Sequence, residues 1–300
     1  MARFPEVGTV AASPLERWDV PSGSVWVKRD DLLGEGGTKL RKLLVELPLA
    51  RACRERVVTF GYLDSNHALA TARWGEKWGV PVELQLLGRP SDDPARAALV
   101  RSVAPTSFHA GVLGLGLGTL WRMVKARLRR ERLLVLPPGG TTPRSTAAVA
   151  AAVAEVVDQF GAFGEEIPDH WAVAVGSGGT MAGLLAGARA MNLGVQIHGV
   201  AASSRWVGPW RVARLANQAL RLLGYEIRVQ AAEADVTWHQ FGGGHGRPAA
   251  ESQHMLREMA ERGHELDPLF TARALAWLES EVRPGENWLF WHTGIGAGAR

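Results

Sequence analysis

Val173-Ala174-Val175-Gly176-Ser177-Gly178-Gly179-Thr180-Met181-Ala182-Gly183 reads as a short buried strand, a glycine-rich turn and the start of a small-residue helix. Such a turn presents consecutive backbone N–H groups at a helix N-terminus, which makes a cradle for phosphate. It lacks the Gly-Lys-Ser/Thr ending of a P-loop and the later glycine of a dinucleotide fingerprint. Tight packing of a strand on a helix is the alternative reading of the loop taken alone.

The same strand-then-helix alternation extends outward in both directions. Upstream, strands are expected at 24–28, 57–61, 80–87 and 133–136, and helices at 39–56 (with Pro48 interrupting), from after His67 to 78, at 95–103, over the basic stretch 122–132 and at 144–160. Residues 1–24 read as irregular because Pro5, Pro14 and Pro21 break any period, and 111–118 reads as a glycine-rich connection. Downstream come a strand at 196–201, a helix at 205–223, a turn at 242–246, a helix from about 249, a helix ending near 281 and a strand at 288–291. Strands alternating with helices imply parallel sheets with right-handed crossovers, so the fold class is α/β.

A second glycine turn, Gly36-Gly37-Thr38-Lys39-Leu40-Arg41-Lys42, opens the helix at 39. Thr38 suits an N-cap, and Lys39 and Lys42, three residues apart, share one face at the helix end that favours anions. Two such amines suit a phosphorylated carbonyl cofactor, one forming an imine and the other meeting the phosphate. Two solvated lysines are the plainer alternative. The segment Asp64-Ser65-Asn66-His67 places polar side chains at a strand's carboxyl end, where open parallel sheets bind ligands.

Composition narrows the classes. Three hundred residues make one large domain or two smaller ones sharing a cleft, and 46% hydrophobic content supports a sizeable core. Lys and Arg number 34 against 30 Asp and Glu, so the chain is only mildly basic. The run Arg122 to Arg132 is read as a solvated amphipathic face and not as a nucleic-acid surface. One cysteine, Cys53, excludes an internal disulfide framework and a multi-cysteine metal site, and the histidines show no paired metal-ligand spacing. No basic leader precedes an apolar run, and no window approaches the roughly 18 apolar residues of a membrane span, so a cytoplasmic protein without membrane contact is expected.

Five pieces then occur in order: Lys28-Arg29-Asp30-Asp31 with residues 36–42; Ser65-Asn66-His67; residues 176–183; residues 266–271; and His292-Thr293-Gly294. The ordered set resembles the 1-aminocyclopropane-1-carboxylate deaminase and D-cysteine desulfhydrase family of pyridoxal-phosphate enzymes. The resemblance implies a tryptophan synthase β-like fold of two three-layer α/β/α domains with mostly parallel sheets, a larger one from 1–46 and 146–300 and a smaller one from 47–145. It implies pyridoxal 5′-phosphate between them, a small amino-acid substrate and a homodimer. It further implies that Lys39 holds the cofactor and moves the substrate α-proton, that Lys42 and the loop Gly176, Ser177, Gly178, Gly179 and Thr180 meet the phosphate, and that Asn66 contacts the cofactor 3′-oxygen. Ser65 faces the substrate, His67 lines the cleft, and Thr271 falls where the family supplies the partner of the pyridine nitrogen.

Thr271 and Thr293 match the hydroxyl-bearing, desulfhydrase-like members and not the ring-opening deaminases, which place glutamate and leucine there. A hydroxyl beside the ring nitrogen gives a weaker electron sink than a carboxylate, which suits loss of a β-substituent. The expected reaction is α,β-elimination from D-cysteine or a similar β-substituted D-amino acid. Ring opening, racemisation or β-replacement on the same cofactor is the alternative, and a cofactor-binding homologue with impaired catalysis is another. The departures bear on this choice. Asp64 stands where the family has Gln, His245 and Phe270 where it has tyrosines, and Thr38 where it has Asn. His245 could replace one phenol in proton transfer, whereas Phe270 could not.

Overall fold

In the computed structural model, Trp171, Val173 and Val175 pack into one buried cluster while Ala172 and Ala174, from the same strand, pack into another. Successive side chains of a strand point to opposite faces, so a strand buried on both must lie inside a helix-covered sheet. The structure describes residues 11–202, 207–238, 249–283 and 285–296. In chain order the elements are β1 (Leu15–Val20), β2 (Gly23–Arg29), α1 (Thr38–Ala52), β3 (Arg56–Tyr62), α2 (Asn66–Lys77), β4 (Val82–Leu87), α3 (Pro94–Val103) and β5 (Thr106–His109). There follow α4 (Val112–Leu128), β6 (Leu133–Leu136), α5 (Pro143–Phe163), β7 (His170–Val175), α6 (Gly179–Ala190), β8 (Gln196–Ala201), α7 (Pro209–Leu222), β9 (Asp235–Thr237), α8 (Ala250–Glu261), α9 (Thr271–Glu281) and β10 (Trp288–His292).

The chain divides into two compact units, Met1–Arg41 with Pro143–Arg300, and Lys42–Thr142. Both boundaries fall a few residues before the expected 46/47 and 145/146, the first inside α1. In the first unit the strand order is β1-β2-β10-β7-β8-β9, with β1 antiparallel to β2 and every other pair parallel. Helices α5, α6 and α7 supply the core of one face, and α8 and α9 that of the other. The second unit carries an all-parallel sheet, β5-β4-β3-β6. Consecutive parallel strands joined through helices produce this order, as the alternation in the sequence predicts.

Several expectations are corrected. Residues 15–20 form β1, because Pro14 sits just outside the strand and Pro21 in the hairpin turn, so the prolines bracket it without breaking it. Residues 112–118 are not a connection but the first turns of α4, despite three glycines. The short strands β5 and β9 escape a reading that needs longer alternation. Helix α5 is, among the described residues, the one helix long and apolar enough by length and composition to cross a membrane, against the expectation of no such stretch. Its buried side chains, from Ala147 to Phe160, belong to the first unit's core, which accounts for the apolar composition. The expected turn 242–246, with His245, lies outside the described residues.

Candidate active site

The Gly36-Gly37 turn must be glycine for steric reasons. Both residues have positive φ, 99° and 57°, and a Cβ on Gly37 would overlap the Thr293 carbonyl oxygen. The Thr38 N–H donates to that carbonyl at 3.0 Å, and the Lys39 and Leu40 N–H groups close tight turns onto Gly36 and Gly37. The start of α1 is thereby joined to the chain leaving β10. Thr38 is already the first residue of α1, and its hydroxyl is not spent as the expected N-cap: it donates to Asp30 Oδ2 at 2.8 Å.

Asp30 anchors this corner. Fully buried, it also accepts from Ser13 Oγ, from Arg41 Nε and Nη2, and from Trp291 Nε1. Burial opposes its charge, but the Arg41 guanidinium beside it prevails and holds the carboxyl below the ordinary aspartate range. Arg41 in turn grips Glu155 with two bonds of 2.6 and 2.8 Å, and Lys28 stands 3.1 Å from the same carboxylate. Charges this deeply buried persist because each is paired and hydrogen-bonded. The network fixes the first turn of α1 and hence the root of Lys39.

The Lys39 amine is shifted downward by burial, and the Asp267 carboxylate works against that shift. An amine so shifted is neutral, and therefore nucleophilic, at lower pH than a solvated lysine. Asp267 also accepts the N–H groups of Leu269 and Phe270, forming the turn that starts α9. Within that turn the fully buried Thr271 hydroxyl accepts the Asp267 N–H at 2.6 Å. Phe270 packs its ring on the α8–α9 core. At the end of β10, burial keeps the His292 imidazole below its usual pKa; its Nε2 bonds the Glu265 carbonyl and its Nδ1 accepts the Gly294 N–H, which sets the Thr293-Gly294 turn against Gly37.

The parallel register Trp291↔Val173 carries Thr293-Gly294 and Gly176-Ser177 off the same edge of the sheet. There Gly178, the left-handed N-cap of α6 with φ 88°, has no room for a side chain, since a Cβ would crowd Val207. Among the described residues no side chain caps α6. The first N–H groups of the helix are thus available to an anion.

The second unit holds the other predicted residues. Ser65 is the N-cap of α2, its Oγ accepting the Ala68 N–H at 3.2 Å, and Asn66 and His67 open the helix. The buried Arg96 donates to the carbonyls of Leu63, Asp64 and Ser65 and so braces this loop. Burial lowers the Arg96 pKa, opposed by Asp64 and Asp93. His67 is buried between β3 and α2, its Nε2 3.1 Å from Thr59 Oγ1 and its ring against Gly140. Lys42 is also buried, with Nζ 3.3 Å from the Gly139 carbonyl.

A family profile described as "Pyridoxal-phosphate dependent enzyme" matches residues 8–294. The chain belongs to this family. A Pyrococcus abyssi protein, provisionally named 1-aminocyclopropane-1-carboxylate deaminase, is 31% identical over 98% of this chain and 92% of its own length. A Salmonella paratyphi A D-cysteine desulfhydrase is 29% identical over 98% and 95%. A crystal structure titled as that of an ACC deaminase homologue superposes with a TM-score of 0.84, at 30% identity over 98% of this chain and 92% of that one. Within the pyridoxal-phosphate enzymes the chain is therefore a lyase of the deaminase and desulfhydrase group, with their fold.

The donor set in the first unit fits pyridoxal phosphate. The cofactor's aldehyde calls for an amine that loses its proton readily, as Lys39 does, and its phosphate for an open helix N-terminus, as α6 has. Among the described residues no group of His, Cys, Asp and Glu side chains is arranged to hold a metal. Sequence reasoning missed Asp30, Arg96, Asp267 and His292 as organising residues. Asp30 and His292 lie inside quoted motifs, but their partners include Arg41, Trp291 and the Glu265 carbonyl, 11, 261 and 27 residues away, and no local pattern signals that.

Proposed function

We propose that this lyase catalyses α,β-elimination from D-cysteine or a similar β-substituted D-amino acid, converting D-cysteine and water to pyruvate, ammonia and hydrogen sulfide, and that it acts as a homodimer. The observation that carries the reading is the start of α9, where Thr271 presents a buried hydroxyl and the first turn contains no acidic residue. Bound pyridoxal phosphate supplies an electron sink for the pair left at the substrate α-carbon. A hydroxyl partner makes a modest sink, and departure of the β-thiolate relieves the need for a deeper one.

In this reading Lys39 holds the cofactor and shuttles the α-proton, and burial, by lowering its pKa, favours the neutral, basic form of the amine. Gly176, Ser177, Gly178, Gly179 and Thr180 bind the phosphate, with Lys42 adding positive charge, and Asn66 orients the ring through its 3′-oxygen. Ser65 binds the substrate carboxylate, Thr293 bounds the substrate, and Asp64 disfavours substrates bearing a second negative charge. His67, being buried, positions the Ser65 helix. Phe270 closes the substrate side by packing alone, and His245 is the remaining candidate acid.

A second reading is ring-opening deamination, favoured by the name of the Pyrococcus abyssi relative. Incubating the holoenzyme with D-cysteine, L-cysteine, D-serine and 1-aminocyclopropane-1-carboxylate separates the two. Pyruvate with sulfide from D-cysteine is the expected result; 2-oxobutyrate from the cyclopropane substrate without pyruvate from D-cysteine would overturn it.

A further inference from the structure

Helix α4 is laid with its apolar side outward. The residues it turns toward its own sheet are Leu115, Thr119, Arg122 and Ala126, and Arg122 is held by Glu83 at 2.5 Å and Glu131 at 2.8 Å. The opposite side presents Leu113, Leu117, Leu120, Trp121, Val124 and Leu128, between 40 and 78% exposed. A surface helix ordinarily shows the reverse arrangement. The six side chains expose on the order of 700 Å², beyond the roughly 300–600 Å² of the largest patch on a typical monomer. That is close to the ~800 Å² each partner contributes to a standard interface.

The stripe is also palindromic. About one midpoint between Leu120 and Trp121, Leu113 mirrors Leu128 and Leu117 mirrors Val124. A helix crossed by its own copy about a two-fold axis must match large to large in this way, because an isologous contact pairs residue i with j and j with i. The exposed Gly114 and Gly116 then fall opposite the long stems of Arg127 and Lys125, where their lack of side chains makes room. Gly114 and Gly116 cost roughly 1 kcal/mol each relative to alanine, a cost that close approach of a second helix offsets, whereas Gly118 makes room for His109 of its own sheet.

Charge selects the antiparallel arrangement. The cations Lys125, Arg127, Arg129 and Arg130 gather at the C-terminal end of α4, while residues 112–121 carry none. Exposed Asp92 and Asp93 lie toward the N-terminal end, where Gly88, beside Asp92, bonds the His109 carbonyl. An antiparallel pair sets each basic end over the other copy's neutral or acidic end, and a parallel pair would set like charges together.

We propose that the outward face of α4 is a homodimer interface, two copies of the helix packing antiparallel about a two-fold axis at Leu120 and Trp121. The inference does not depend on the substrate reading. Sedimentation velocity of the holoenzyme at tens of micromolar should give a dimer, and Leu120→Glu should give a folded monomer that retains the bound-cofactor absorbance. In a Cys53→Ala background, Leu120→Cys should crosslink to its own mate through a short bis-maleimide. Leu113→Cys alone should not, because its copies stand on the order of 20 Å apart at 1.5 Å per residue. Leu113→Cys mixed with Leu128→Cys should crosslink again. A dimer that persists in Leu120→Glu, a monomeric wild type, or a crosslinking pattern without the 113–128 pairing would each overturn the proposal. Binding of monomers to anionic vesicles would reassign the stripe to a membrane surface.

Discussion

At the residue scale, Lys39 owes its chemistry to two opposed influences, burial of the amine and the carboxylate of Asp267. Removing the carboxylate leaves burial unopposed, so Asp267→Asn should move the pH dependence of cofactor attachment to lower pH. Stopped-flow absorbance across pH 6–10 checks this, and a shift to higher pH would contradict it. Gly37 tests the backbone contact: Gly37→Ala adds a Cβ against Thr293 at positive φ, which should cost about 1–3 kcal/mol and weaken cofactor retention, read by denaturant unfolding and by absorbance after dialysis. The two glycines were legible in the sequence because tight turns use few residue types, and Lys39 stood out as a candidate because it opens the helix that follows them. Asp267 was quoted within a motif without a role, since its proximity to Lys39 spans 228 positions of sequence.

At the scale of elements, two features carry the site: the buried charge network at the start of α1 and the cap of α2. Asp30 has a folded pKa below its unfolded value of about 4. Its charge therefore contributes stability above pH 4, and that contribution is lost as pH falls through the folded value. Asp30→Asn should cost about 3–5 kcal/mol at pH 7 by leaving Arg41 poorly compensated, and urea unfolding should show the gap from wild type narrowing below pH 4. Ser65→Ala should cost about 1 kcal/mol through the lost cap, with Ser65→Thr restoring most of it. An activity loss in Ser65→Ala far beyond that in Ser65→Thr separates a substrate contact from the cap alone. The long elements were legible from their periods, including the βα units around β3 and β7. Those that were not have physical reasons: β1 is framed by prolines, β5 and β9 are too short to alternate, and α4 tolerates glycines that a sequence reading takes for a loop.

At the scale of the whole molecule, one chain makes two units with mostly parallel sheets, the middle segment forming one and the two outer segments together forming the other. The alternation of strands and helices made the class readable, and the motifs made the family readable because all five occur together and in order, where each alone is common. Substrate choice was less legible, since in the proposed reading it turns on hydroxyls such as Thr271 whose meaning depends on what they face. The most direct test of the account is the visible absorption spectrum of the purified protein with pyridoxal phosphate, for wild type and Lys39→Ala, before and after D-cysteine. The wild-type protein should show a band that requires Lys39 and changes on adding D-cysteine. A band that survives Lys39→Ala unchanged, or one in the wild type that is indifferent to D-cysteine, would contradict it.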